Sequence, residues 1–123
     1  MTNKTEEKNK LPKCPVETLL MLLDNKWKYS IIRDLLLGPK RFTALKKATG
    51  ASQKSLTTNL RQMEEQDLVK REVFAQVPPR VEYSLTDIGY SLAPVLDSMA
   101  SWGTDYQKYC KIKETMQKNK NKP

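Results

Sequence analysis

The chain has 123 residues, of which 29% are charged and 38% apolar, with a formal charge of +8 and no histidine. That length fits one domain with a core of modest depth, and two cysteines without histidine cannot furnish the roughly four ligands of a structural zinc site. No apolar run exceeds the five residues at 19–23, far short of a membrane span or a signal-peptide core, so a cytoplasmic protein with no membrane partner is predicted.

The ends hold much of the charge. Residues 1–13 carry four Lys against two Glu and residues 111–123 five Lys against one Glu. They are read as a flexible N-terminal arm and a flexible basic C-terminal tail around a domain at 14–110. Pro15 suits the first position of a helix, in which Val16, Leu19, Leu20, Leu22 and Leu23 supply an apolar face and Asn25 a left-handed stop. A second helix is predicted over 26–37, where Trp27, Ile31, Ile32, Leu35 and Leu36 recur at helical spacing and Gly38-Pro39 ends it. Trp27, in register with aliphatics, reads as a core anchor rather than a ligand-stacking residue.

After a short strand at 41–42, residues 43–49 are expected to form a helix with Phe42, Leu45 and Ala48 inward and Lys46 and Lys47 outward. Gly50 permits a tight turn. Ser52 is a good N-cap for the next helix, ending near residue 66, whose Leu56, Leu60 and Met63 make one buried stripe. At about 100° per residue, Lys54, Thr57, Thr58 and Arg61 fall on the opposite side. Residues 69–74 and 81–85 alternate apolar with polar residues, as strands do, and the loop at 75–80 is stiffened by Pro78 and Pro79 into a projecting hairpin. A helix-turn-helix followed at once by such a hairpin is a winged helix, of the α+β class but mainly α. Thr86 then caps a last helix, whose apolar series Ile88, Leu92, Val95, Leu96, Met99, Trp102, Tyr106 and Tyr109 persists with a kink expected at Pro94.

Charge along the chain separates two surfaces. From residue 40 to 63 there are six Lys or Arg and no acid, the bias a polyanion-facing surface needs; from 81 to 107 there are four acids and no base. The last helix therefore turns away from nucleic acid. Its long apolar face is read as the seat of a second copy's helix, the alternative being that it covers its own core. An enzyme is excluded by the lack of histidine, of a phosphate loop and of S-x-x-K or G-x-S-x-G elements, and single-stranded RNA by the lack of stacking aromatics on the 40–63 face.

The motifs C-P-V-E (14–17), N-K-W (25–27), G-P-K-R-F (38–42), S-Q-K-S-L-T-x-x-L-R-x-M-E (52–64), V-P-P-R-V-E-Y-S-L-T (77–86) and P-V-L-x-x-x-x-x-W-G (94–103) follow in an order that strongly resembles the HxlR-type transcription regulators. These belong to the winged-helix superfamily that also holds the MarR regulators. The resemblance covers about residues 14–103 and implies a bacterial homodimer on double-stranded operator DNA, with dimerisation helices at both ends of the domain. It places Ser52, Gln53, Lys54, Thr57 and Arg61 on the positions that meet DNA and Arg80 on the wing. Asn25 departs from a common glycine, and Ala51 from a bulkier aliphatic.

With that resemblance, Lys46, Lys47, Lys54, Arg61 and Arg80 are expected to hold phosphates, and Gln53, Thr57, Thr58 and Arg61 to reach base edges. Lys40 and Ser55 complete the DNA-binding set. The dimer interface is expected from Val16, Leu19 and Leu20 with Leu92, Leu96, Met99, Trp102 and Tyr106. Cys14 sits beside Lys13 at a helix N-terminus, a setting that favours reactivity toward electrophiles and oxidants. The resemblance implies that this position is the redox sensor in several members, sometimes paired with a cysteine near the end of the last helix, where Cys110 lies. Two other readings stay open: a winged-helix protein-protein adaptor without a specific operator, and a regulator controlled by a small-molecule ligand rather than by thiols. No cofactor or metal is expected.

Overall fold

Helical and strand periodicities resolve, in a computed structural model that describes residues 10–120, into six helices and three strands among the described residues. The expected arm falls largely on residues 1–9, and the end of the tail on 121–123, both outside the described residues. Two compact units divide the chain, Met1–Gly89 and Tyr90–Pro123.

The first unit contains α1 (Pro15–Leu22), α2 (Lys26–Leu35), β1 (Lys40–Arg41), α3 (Phe42–Thr49), α4 (Gln53–Glu65), β2 (Val69–Phe74) and β3 (Arg80–Leu85), and the short α5 (Asp87–Tyr90) straddles its end. It is a winged helix-turn-helix. The three strands form an antiparallel sheet in the order β1-β3-β2. Lys40 lies opposite Tyr83, and the β2–β3 hairpin runs in register from Val69–Leu85 to Phe74–Arg80. Only the base of that hairpin is buried, at Val69 and Leu85; Val77 at its tip, beside a cis bond to Pro78, is fully exposed. The core is built from Ile31, Ile32 and Leu35 of α2, Leu45 of α3, and Leu56, Leu60 and Met63 of α4. Each such side chain contributes about 1.5–3 kcal/mol relative to exposure, which is why α4 holds its stripe inward.

Three local expectations are corrected. Asn25 is not a left-handed stop: its backbone is extended (φ −153°, ψ 164°) and its side chain caps the start of α2, accepting from the Trp27 and Lys28 amides. With the helix beginning at Lys26, positions 28, 31, 32 and 35 share the inner face. Lys28 is therefore buried, its Nζ 2.9 Å from Asp24 Oδ1, while Trp27 is only half-buried, with Lys26 Nζ 4.5 Å from its ring. Ala48 is exposed, and Thr49 instead ties down the end of α3 by donating from Oγ1 to the Leu45 carbonyl at 2.7 Å.

The single kinked last helix also differs from expectation. The chain leaves helix at Ser91–Leu92, and α6 (Ala93–Lys120) starts afresh, with Pro94 in its first turn, where a missing N–H costs nothing. At its other end α6 continues through the stretch expected to be a flexible tail. Glu114 and Lys118 face each other one turn apart at 3.9 Å, Thr115 Oγ1 donates to the Lys111 carbonyl, and Lys118 and Lys120 sit in the last turn, where the helix dipole favours cations.

Gly89 marks a close approach. A Cβ built there meets the Leu68 carbonyl oxygen at 2.3 Å, and that same oxygen accepts from the Thr86 amide. Gly89→Ala is therefore expected to destabilise the first unit by about 1–3 kcal/mol, read as a lower melting temperature, whereas Gly103→Ala, with nothing within 4 Å of its Cβ, leaves it unchanged or raises it.

Candidate nucleic-acid interface

Four local devices set the pose of the helix-turn-helix. Gly50 ends α3 in the left-handed conformation (φ 75°), which only a residue without Cβ adopts at no steric cost. Ala51 is buried, and its amide hydrogen-bonds Thr49 Oγ1. Ser52 caps α4 by accepting from the Ser55 amide at 3.1 Å. Asn59, 6% exposed, links α4 back to the start of α2: its Oδ1 accepts from Asn25 Nδ2 at 2.9 Å, and its Nδ2 donates to the Ser55 carbonyl at 2.7 Å.

With the inner stripe buried, α4 presents Gln53, Lys54, Thr57, Thr58 and Arg61 to solvent on its outer side. Lys46 and Lys47 are exposed in the last turn of α3. Ser55 is half-buried, and its main chain is engaged in the cap and by Asn59. Lys40 is half-buried in β1. Arg80, at the start of β3, lies with its guanidinium carbon 4.1 Å from the centroid of the Phe74 ring and its Nε 3.6 Å from Glu82 Oε1. That second distance is ionic contact rather than a hydrogen bond, so the stacking on Phe74 orients the side chain.

Beside this surface, Arg71 lies 3.7 Å from Glu64, joining the hairpin to the end of α4. Burial raises the Tyr83 phenol above its ordinary value of 10.0, opposed by Arg71 and aided by Glu64. The ring is thus a neutral element of the hairpin, and lysine and arginine carry the positive charge.

Two features of this side escaped the sequence reading. Arg41 is exposed in β1, next to the half-buried Lys40, and was legible only as part of the basic run. The Asn25–Asn59 bond spans 34 positions. Its capping half carried a signal, an Asn immediately before an apolar-periodic segment, but its link to Asn59 carried none.

The thiols and the apolar faces lie elsewhere. Cys14 caps α1 with extended backbone, and both it and Cys110 are exposed and free. Val16 and Leu20 are 64% and 61% exposed, and Leu19 is half-buried. In the second unit Met99, Trp102, Tyr106, Tyr109, Ile112 and Met116 are exposed at successive steps of three or four residues, and Trp102 stacks on Tyr106 at 5.3 Å. Leu92 and Leu96, also expected at the interface, are 8% and 5% exposed. Among the described residues no helix is long and apolar enough to cross a membrane, and no three His, Cys, Asp or Glu groups are placed to share a metal ion.

A profile of the HxlR-like helix-turn-helix family matches residues 22–111. The chain is 44% identical over 95 residues to the HTH-type transcriptional regulator YdeP of Bacillus subtilis, covering 76% of this chain and 74% of that protein. Among solved structures it is similar to the redox regulator HypR. The oxidized form is 41% identical, with a TM-score of 0.69 over 75% of this chain and 96% of that one. For the reduced form the values are 37%, 0.74, 80% and 98%. It is also similar to quinone-bound YodB from B. subtilis, at 34% identity and a TM-score of 0.66 over 75% and 98% of the two chains.

Removing Asn25 tests how the interface is held. Asn25→Ala deletes the α2 cap and leaves buried Asn59 Oδ1 without its donor, an expected loss of about 1–3 kcal/mol, measured by urea unfolding. A loss below about 0.5 kcal/mol would mean that water replaces the amide freely and the link does not hold the helix.

Proposed function

The chain belongs to the HxlR-like helix-turn-helix family of transcriptional regulators, and from that premise we propose that it works as a homodimer on an inverted-repeat operator in double-stranded DNA, controlled by thiol chemistry at Cys14. The observation that carries the DNA reading is the division of α4: Leu56, Leu60 and Met63 fully inward, Lys54, Thr57, Thr58 and Arg61 outward, with no acid between residues 40 and 63. In this reading α4 lies in the major groove. Gln53, Thr57, Thr58 and Arg61 read base edges, Lys40, Lys46, Lys47, Lys54 and the wing residue Arg80 hold phosphates, and Ser52 and Ser55 form the helix start nearest the backbone.

The exposed apolar stripe of α6, with Val16 and Leu20 of α1, supports pairing of two copies. A two-fold axis sets the half-sites about one helical turn, ~34–36 Å, apart. Six to nine engaged phosphates, as an order-of-magnitude count, give a slope of log affinity against log salt of about −5 to −8. Arg61→Ala is expected to cost about 1–3 kcal/mol of operator discrimination in a gel shift while the dimer persists in size-exclusion chromatography. Unchanged binding at moderate salt would sink the assignment.

The redox reading is supported by exposed, free Cys14 and Cys110 and by similarity to a regulator solved in oxidized and reduced forms and another solved with quinone. In it, diamide accepts two electrons and two protons from the two thiols and becomes the hydrazine, while Cys14 Sγ of one subunit bonds Cys110 Sγ of the other. A diamide-crosslinked dimer on a non-reducing gel, abolished in Cys14→Ser and in Cys110→Ser, is the expected result. A crosslink that survives Cys14→Ser, or none in the unsubstituted chain, overturns the pairing.

A further inference from the structure

The 28 residues of α6 make a rod about 42 Å long at 1.5 Å per residue, and its charge is divided along that length. From residue 93 to 107 it carries Asp97 and Asp105 and no base, a charge of −2; from 108 to 120 it carries five lysines against Glu114, a charge of +4. The family profile stops at residue 111, but the helix runs on to Lys120.

Along one side of α6, Met99, Trp102, Tyr106, Tyr109, Lys113 and Met116 follow in strictly alternating steps of three and four residues, the spacing of a coiled-coil seam. All six are exposed. The aromatic part of the seam is already ordered within the chain, since Trp102 stacks on Tyr106 at 5.3 Å and the Tyr106 and Tyr109 rings lie 6.2 Å apart. Lys113 is its charged member, and a single polar residue at such a position selects one pairing over others.

Orientation follows from Lys113 and the division of charge. In parallel pairing each seam residue meets its own copy, which sets Lys113 against Lys113 and brings the two +4 halves together. Antiparallel pairing instead lays the +4 half of one copy along the −2 half of the other. With the two-fold axis between residues 107 and 108, the seam layers are Met99 with Met116, Trp102 with Lys113, and Tyr106 with Tyr109, each made twice. The Lys113 ammonium then meets the Trp102 ring, with Asp105 of the same copy as that ring about 4.5 Å further along the axis. Moving the register by one heptad in either direction carries Met99 or Met116 past the end of the other helix, so this register alone uses the whole seam.

We propose that two copies of this chain pair through α6 as an antiparallel coiled coil in this register, with Lys113 of each held between Trp102 and Asp105 of the other. This rests on the homodimer reading and adds to it an orientation, a register and a use for residues 112–120.

The test places cysteines on the seam of the full chain, in a background where Cys14 and Cys110 are replaced by serine: Met99→Cys, Met116→Cys, and both together. Diamide takes two electrons and two protons from each pair of thiols that meet. The double variant alone is expected to run as a crosslinked dimer on a non-reducing gel, because positions 99 and 116 meet each other across the axis and neither meets itself. Light scattering before oxidation reports separately whether the dimer exists. Lys113→Glu is expected to raise the dimer dissociation constant several-fold, and Asp105→Lys added to it to restore most of the loss, a rescue that parallel helices cannot give. A dimer that crosslinks in either single variant, or fails to crosslink in the double, overturns the antiparallel register and leaves the homodimer reading standing. A Lys113→Glu change without effect, or one that Asp105→Lys does not repair, overturns the seat assigned to Lys113. A monomer by light scattering overturns both readings.

Discussion

The side chain of Asn25 joins two parts of the helix-turn-helix that no main-chain bond connects. Its carbonyl oxygen accepts from the Trp27 and Lys28 amides at 3.0 and 3.1 Å and starts α2, while its amide nitrogen donates to Asn59 in the middle of α4. Asn59 in turn binds the Ser55 carbonyl one turn back. A glycine at position 25 would let the backbone turn but would supply neither bond. The asparagine that looked like a mild departure from the family pattern is thus a clamp on the outward helix.

Magnitudes divide the labour between that clamp and the core. Net, each hydrogen bond contributes about 0.5–1.5 kcal/mol, less than the burial of Leu56, Leu60 or Met63 alone at about 1.5–3 kcal/mol. Apolar burial therefore supplies most of the free energy that docks α4. It is poorly directional, however, and a helix lying on aliphatics can rotate or slide at small cost, whereas a buried amide displaced from its partner is left unsatisfied. The Asn25–Asn59 bond sets the rotation, and rotation decides whether Thr57, Thr58 and Arg61 face outward together.

What the sequence made legible follows the range of the interactions involved. The α3–turn–α4 unit was readable because its determinants are local: a glycine at the left-handed position, a serine cap and a stripe at helical spacing. The hairpin was readable for the same reason, from alternation around Pro78 and Pro79. Asn25 was misread because half of its role depends on Asn59, and Lys28 went unseen as a buried residue because hydropathy does not register that a lysine stem can be buried once Asp24 meets its Nζ. Pro94 was seen as a kink, when a break at Ser91–Leu92 relocates it to a first turn. Residues 111–120 looked like tail because lysine-rich composition resembles disorder, although lysine at a helix C-terminus also suits the dipole.

One helix carries two surfaces of opposite charge. The amino-terminal three turns of α4 carry the basic, acid-free face, whereas Glu64 and Glu65 stand in its last turn. This segregation has an electrostatic logic. Acids at the end of α4 lie far enough along the helix to spare phosphate contacts near Gln53 and Lys54, roughly 15 Å away at 1.5 Å per residue, beyond a Debye length of about 8 Å at physiological salt. Those acids therefore change the field at the first turn little. Arg61 is the exception: it stands one turn before Glu64 and Glu65, about 5–6 Å along the axis, so of the α4 cations it is the one that meets their field within a Debye length.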